Sequence, residues 1–220
     1  MTNTRIEYIK RLEEVEIYFD ALTFLDKGMC EIRCVDILGV ETSMPVNENL
    51  SRILKANGFL LLYNLIESTV RKSIDAIFNV IHSTSLSYKD LSSDLRKLWV
   101  KQESKNATFE KIISIAETVL TNELLSFRED CVSISGNIDA QEIRKILKQF
   151  GGNEISDGRN LKTIKDKRNN LAHGEFSFSE IGKDYTIQDL IRYKNDVKDY
   201  LDKVIDEIQQ YIDNKTYLKK

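Results

Sequence analysis

The stretch Asn160-Leu-Lys-Thr-Ile-Lys-Asp-Lys-Arg168-Asn-Asn-Leu-Ala-His173-Gly174 decides how the chain reads. At about 100° per residue, Leu161, Ile164, Leu171 and Ala172 fall on one face, the pattern of a helix and not of a strand. Gly174 stands where a helix ends, because glycine adopts the left-handed conformation without a Cβ penalty. Arg168 falls at the centre of the apolar stripe. A guanidinium keeps its proton, so burying it is costly unless an anion or acceptor meets it. His173 occupies the last turn and reads as turned away from the exposed side chains. Arginine and histidine, five residues apart at a helix end, are candidates to hold a phosphate and react with it. The competing reading is a half-exposed arginine, a charge favouring the helix dipole and an ordinary cap. Spacing alone does not separate the two, since R-x4-H is a short pattern with many chance matches.

The flank of this segment is basic, with Arg159, Lys162, Lys165 and Lys167 against Asp166. The whole 220-residue chain carries a formal net charge of −3. That balance excludes a protein that coats nucleic acid non-specifically, so any RNA contact is expected through this local patch. A basic helix face is also common as a solvated surface.

The surrounding chain reads as helical. It is 41% hydrophobic, enough for a core, and has one proline and nine glycines, both of which helices exclude. Thr4 to Lys27 carries Ile9, Leu12, Val15, Phe19 and Leu22 at helical spacing. Met29 to Asn47 breaks the pattern and reads as an irregular connection or short strand. Asn49 to His82 is a long helix, bent near Gly58, with a stripe from Leu60 through Tyr63, Ile66, Val70, Ile74, Ile77 and Phe78 to Ile81. Glu67 lies inside that stripe. It is expected either to face Arg168 across a helix pair or to pair locally with Arg71. Ser87 to Lys101 is a helix opened by Ser87-Tyr-Lys-Asp90, with Leu91, Leu95, Leu98 and Trp99 as anchors. Thr108 to Phe127 is another, with Ile112, Ile115, Val119 and Leu120 inside. A turn at Ser133 to Asn137 leads to a helix capped by Asp139 and stopped by Gly151-Gly152. Ser177 to Tyr185 is a connection. The final helix, capped by Thr186-Ile-Gln-Asp189, runs to about Ile212 and spans ~39 Å. That length suits packing along the whole domain or supporting a dimer. The fold expected is an all-α bundle with a long C-terminal helix. It forms one domain over 1–220, with 1–47 as N-terminal helix and connection and 48–220 as helical core.

The amino terminus has no apolar signal core, and no run approaches the ~20 residues of a membrane span. A cytoplasmic protein is the expectation. Cys30, Cys34 and Cys131 are odd in number and form no disulfide framework. Cys30 and Cys34 are able to meet on a helix. With only His82 and His173 to join them, they read as free thiols and not as a zinc site.

These features together resemble the HEPN superfamily of helical ribonucleases and nucleotide-binding domains. The resemblance rests on the late helix ending in Arg168-Asn169-x-x-x-His173 and on the earlier helix with its inward Glu67. It is best over Gly58–Phe78 and Gly136–Tyr211. Ser135-Gly-Asn-Ile-Asp139 before a helix, then Phe150-Gly151, is similar to stand-alone bacterial HEPN proteins of defence and toxin loci. The resemblance implies an endoribonuclease that needs no metal or other cofactor. It acts as a homodimer, with a composite site where two such motifs meet. Arg168 would hold the scissile phosphate, and His173 would act as general acid or base when the RNA 2′-hydroxyl attacks. Asn169 would orient the groups, with Glu67 and Asn170 supporting them and Arg159, Lys162, Lys165 and Lys167 contacting RNA. Histidine titrates near neutral pH and a guanidinium meets phosphate in a bidentate fork, so the chemistry is sound. In some toxins of this kind a tyrosine two residues after the histidine receives a nucleotidyl modification. Here that position is Glu175, so this regulation does not carry over. An antitoxin or defence-system partner protein is implied. The alternative is a non-catalytic module that binds nucleotide or RNA, or assembles with a partner. A purely structural scaffold comes third.

Overall fold

The computed structural model describes residues 2–128, 131–132 and 136–220. The turn expected over Ser133–Asn137 lies largely outside the described residues. Eight α-helices and one hairpin are present among those described: α1 (Thr2–Leu25), β1 (Glu31–Val35), β2 (Glu41–Pro45), α2 (Glu48–Ser83), α3 (Ser93–Glu103), α4 (Phe109–Thr121), α5 (Ala140–Phe150), α6 (Arg159–Ala172), α7 (Phe178–Gly182) and α8 (Ile187–Asp213). The fold is all-α with one small β-ribbon. No described helix is long and apolar enough to cross a membrane.

The contacts gather into two compact units. One holds Glu67–Asp157 and Tyr200–Lys220 with the first turn of α1; the other holds Glu7–Ile66 and Gly158–Asp199. α1, α2 and α8 therefore each contribute to both. This is why α8 is apolar along its length: Ile187, Leu190, Val197, Leu201, Val204, Ile205 and Ile208 are all buried.

In the unit containing α6, α2 is the central element. Phe59, Leu62, Tyr63, Leu65 and Ile66 are buried together, a face about 160° wide at about 100° per residue. α2 runs unbroken through Gly58. A Cβ there would meet the Phe19 ring of α1 at 3.4 Å and Leu190 of α8 at 4.0 Å, so the glycine lets three helices approach. Phe59 also sits in an aromatic cluster with Tyr185 and Tyr193, at 4.8 and 6.0 Å between ring centres.

In the other unit, Phe78 packs on Phe127 and Phe150. Leu91, Leu95, Leu98 and Trp99 are core, as is the face of α5 formed by Ile143, Ile146, Leu147 and Phe150. The Asp139 side chain caps α5 by accepting from Glu142 N at 3.0 Å, and Gly151 closes it at φ +79. His82 is structural here: its Nε2 accepts from the Phe127 amide at 3.1 Å.

Four expectations are corrected. Met29 to Asn47, expected as an irregular connection or a short strand, holds β1 and β2 paired as an antiparallel hairpin, with Ile32 opposite Met44 and Arg33 opposite Ser43. Cys34 therefore lies on a strand and Cys30 just before it, not on a helix. The helix expected from Ser87 becomes a short 3-10 turn at Tyr88–Asp90 followed by α3, because Ser92 caps a new start by accepting from Leu95 N. The helix expected over Thr108–Phe127 stops at Thr121, where Asn122 turns left-handed at φ 55. Its supposed interior is not interior, since Ile112 and Leu120 are exposed and α4 has no buried residue.

The connection after Gly174 contains α7, begun by a capping box. Ser177 N donates to Glu180 Oε2 at 2.7 Å, and Glu180 N donates to Ser177 Oγ at 3.2 Å. Thr186 and Asp189 repeat the device at α8. The amide and then the hydroxyl of Ser177 hold the Glu180 carboxyl below its usual range. The hydroxyl and then the amide of Thr186 do the same for Asp189. A lowered folded-state pKa adds stability that is complete above the unfolded value and lost as pH falls through the folded one. The Glu180→Gln/Asp189→Asn double variant is thus expected to melt below the wild type at pH 7. Calorimetry on descending pH should show that gap closing below about pH 4; a gap constant with pH would mean the carboxylate charges contribute nothing.

Candidate active site

α6 opens after Gly158, whose φ is +84, and buries Leu161, Ile164 and Leu171. It ends in a Schellman motif: Glu175 N donates to Asn170 O at 2.9 Å and Gly174 N to Leu171 O at 3.2 Å, with Gly174 at φ +69. The turn is built by the sequence His173-Gly174. Ala172 is exposed, in contrast to its expected place on the buried stripe, because it lies in the last turn beyond the core.

Arg168 is half-buried, and its guanidinium carbon lies 3.8 Å from the centre of the buried Tyr63 ring. Its Nη1 donates to Asn169 Oδ1 at 2.8 Å. The arginine at the centre of the stripe is thus accommodated by stacking on an aromatic face. Asn169 follows directly and holds one end of the guanidinium while Tyr63 holds its face. Asn170, with its amide nitrogen turned toward acceptors, reaches Glu175 Oε2 at 3.0 Å and Asp166 O at 3.1 Å. It braces the turn that presents His173.

His173 is exposed, not turned from the exposed side chains as its position in the sequence suggested. Five residues set it about 140° around the axis from Arg168 and about 7.5 Å along it. That direction is shared by Arg159, Lys162 and Asp166, which are exposed too. The basic flank is not uniform. The Lys165 side chain is only 17% exposed and lies 3.8 Å from Asp166. Lys167 Nζ sits over the Tyr185 ring at 5.6 Å, and burial pushes that phenol up to about 12, so it stays protonated. Arg159 and Lys162 are the exposed members of the flank, and Lys165 and Lys167 are half-buried.

Glu67 takes part in the local pair: Arg71 Nε and Nη2 donate to its Oε1 at 3.1 and 2.8 Å. The sequence reading missed Tyr63 as the seat of Arg168, counting it only as core, and missed the aromatic role of Tyr185. The Ser177-x-x-Glu180 cap was visible as a pattern and foretells that α7 begins close behind His173.

A model of the HEPN_MAE_28990-like HEPN family matches residues 6–217. The chain belongs to this HEPN family. The match runs through both compact units and covers the hairpin and α1 from residue 6, which the sequence resemblance did not clearly cover. No curated protein and no solved structure matches this HEPN chain. HEPN membership points to RNA-related function, and the α6 end carries both Arg168 and His173.

Proposed function

We propose that this HEPN protein is an endoribonuclease that cleaves RNA without a metal ion, serving phage defence or a toxin–antitoxin pair. The observation that carries the reading is Arg168, half-buried on Tyr63 and tied to Asn169, on the same helix end that exposes His173. A stacked guanidinium is a fixed phosphate clamp, because its planar fork is ordered before the substrate arrives. In the reaction the RNA 2′-oxygen bonds to the adjacent phosphorus and the bond to the 5′-oxygen breaks. One imidazole takes the 2′-hydroxyl proton and another gives a proton to the leaving 5′-oxygen. The products are a 2′,3′-cyclic phosphate and a 5′-hydroxyl. Arg168 neutralises the charge gathering on the phosphoryl oxygens. Arg168 and His173 of one copy point in different directions, which favours a homodimer in which two α6 ends complete one site.

The other reading is a non-catalytic RNA- or nucleotide-binding module that assembles with an antitoxin or defence partner. It draws on the inward placement of Lys165 and Lys167, which leaves little cationic surface for a long RNA. The test is cleavage of end-labelled RNA in excess EDTA. Wild type is expected to cut and to leave cyclic-phosphate ends. Arg168→Lys keeps the charge but loses the fork and the stacking plane, and should cut on the order of 10²-fold more slowly. Wild type that binds RNA but never cuts it would favour the binding module.

A further inference from the structure

α4 is amphipathic yet lacks a buried face. Phe109 is 73% exposed, Ile112 57%, Ile113 42% and Leu120 80%. Phe109, Ile113, Ala116 and Leu120 are spaced four, three and four apart, and at about 100° per residue they fall within an arc of about 60°. This is the seam of a helix that packs on another helix. The side of α4 carrying Ile115, Thr118 and Val119 is only half-buried, so the helix rests on its own unit by one edge and turns the seam outward.

The edges of the seam differ in charge. Glu110 and Glu117 run along one, seven residues apart; Ile112 and Val119 run along the other. Hydrogen bonds at the start of α4, its own amide first and then Thr108, hold the Glu110 carboxyl below its usual range. The one cation of α4, Lys111, lies on the far side, where its Nζ donates to Lys105 O at 3.1 Å. A second copy is a poor match. Antiparallel pairing of two α4 helices sets glutamate against glutamate, and parallel pairing sets each glutamate row against Ile112 and Val119. Neither brings a cation to the acidic edge.

We propose that α4 docks an amphipathic helix of another protein, one with an apolar seam and with Lys or Arg along the edge that meets Glu110 and Glu117. The apolar row provides the attraction, and the charges select the partner and fix its direction. At thirteen residues, or ~20 Å, α4 suits a short docked helix better than the ~800 Å² per partner of a standard stable interface. This inference does not depend on catalysis.

The test uses two synthetic helical peptides with leucines at the same spacing, one flanked by lysines and one by glutamates. Fluorescence anisotropy with the full chain should show the lysine peptide binding at least about tenfold more tightly at low salt, a ratio that shrinks as salt rises. Phe109→Ser/Leu120→Ser should abolish binding with an unchanged melting temperature, because neither residue is buried. Glu110→Lys/Glu117→Lys should reverse the preference between peptides. Equal affinity for both peptides would overturn the proposal, and so would binding that survives the double serine variant. A dimer in sedimentation that the serine variant dissolves would overturn it in favour of a second copy.

Discussion

His173→Ala is expected to lower RNA cleavage on the order of 10²–10⁴-fold while leaving the fold intact, because it removes the group that the proposed mechanism assigns to proton transfer and nothing from the core. The side chain is exposed, and substitutions at such positions typically change stability by less than about 0.5 kcal/mol. Its backbone stays held by the bond from His173 N to Asn169 O at 2.9 Å, so α6 still ends where it does. Arg168→Ala is the informative contrast. It empties the face of Tyr63, so it should cost stability as well as activity. Paired measurements of single-turnover rate and thermal midpoint separate the two: a kinetic loss alone for His173, a combined loss for Arg168. Full activity in His173→Ala would place the acid–base chemistry elsewhere and remove the proposed mechanism.

The sequence revealed most where local chemistry and long-range packing agree. α6 was legible because Leu161, Ile164 and Leu171 mark a buried face and Gly174 a stop, and α5 because Asp139 and Gly151 bracket it. α4 was misread for a physical reason. Amphipathicity says that a face avoids water, but not which molecule covers it, and Ile112 and Leu120 are left exposed among the described residues. The hairpin was hidden in its turn. Asp36 Oδ1 accepts from both Leu38 N and Val40 N at 2.8 Å, and Gly39 adopts φ +80. This is an aspartate-plus-glycine turn spread over four residues, not the adjacent pair that signals a tight hairpin. The candidate site was legible as Arg168, Asn169, Asn170 and His173, all on one helix end. That Arg168 rests on Tyr63 depends on how α2 meets α6, two elements far apart in sequence, and no spacing rule encodes it.

Gly182→Ala is expected to be the most damaging single methyl in the unit that carries the site. A Cβ there would lie 1.9 Å from the carbonyl oxygen of Arg52, on the backbone of α2. A backbone atom inside a helix has no rotamer to change, so α7 itself must move. Overpacking of this kind costs about 1–3 kcal/mol and at times more, here some 2–10 °C in melting temperature. The movement reaches the site. α7 is short, its Ile181 is buried beside Gly182, and its cap Ser177 is four residues from His173. Displacing α7 therefore pulls on the turn that presents the imidazole, and cleavage should fall along with stability. Gly174→Ala isolates the other contribution. Its Cβ meets nothing within 4 Å, but the φ of +69 must be held by a residue that prefers other conformations, at roughly 1 kcal/mol. If calorimetry ranks Gly182→Ala as the milder of the two, the contact between α7 and α2 does not fix the loop behind His173, and the Schellman turn alone positions the histidine.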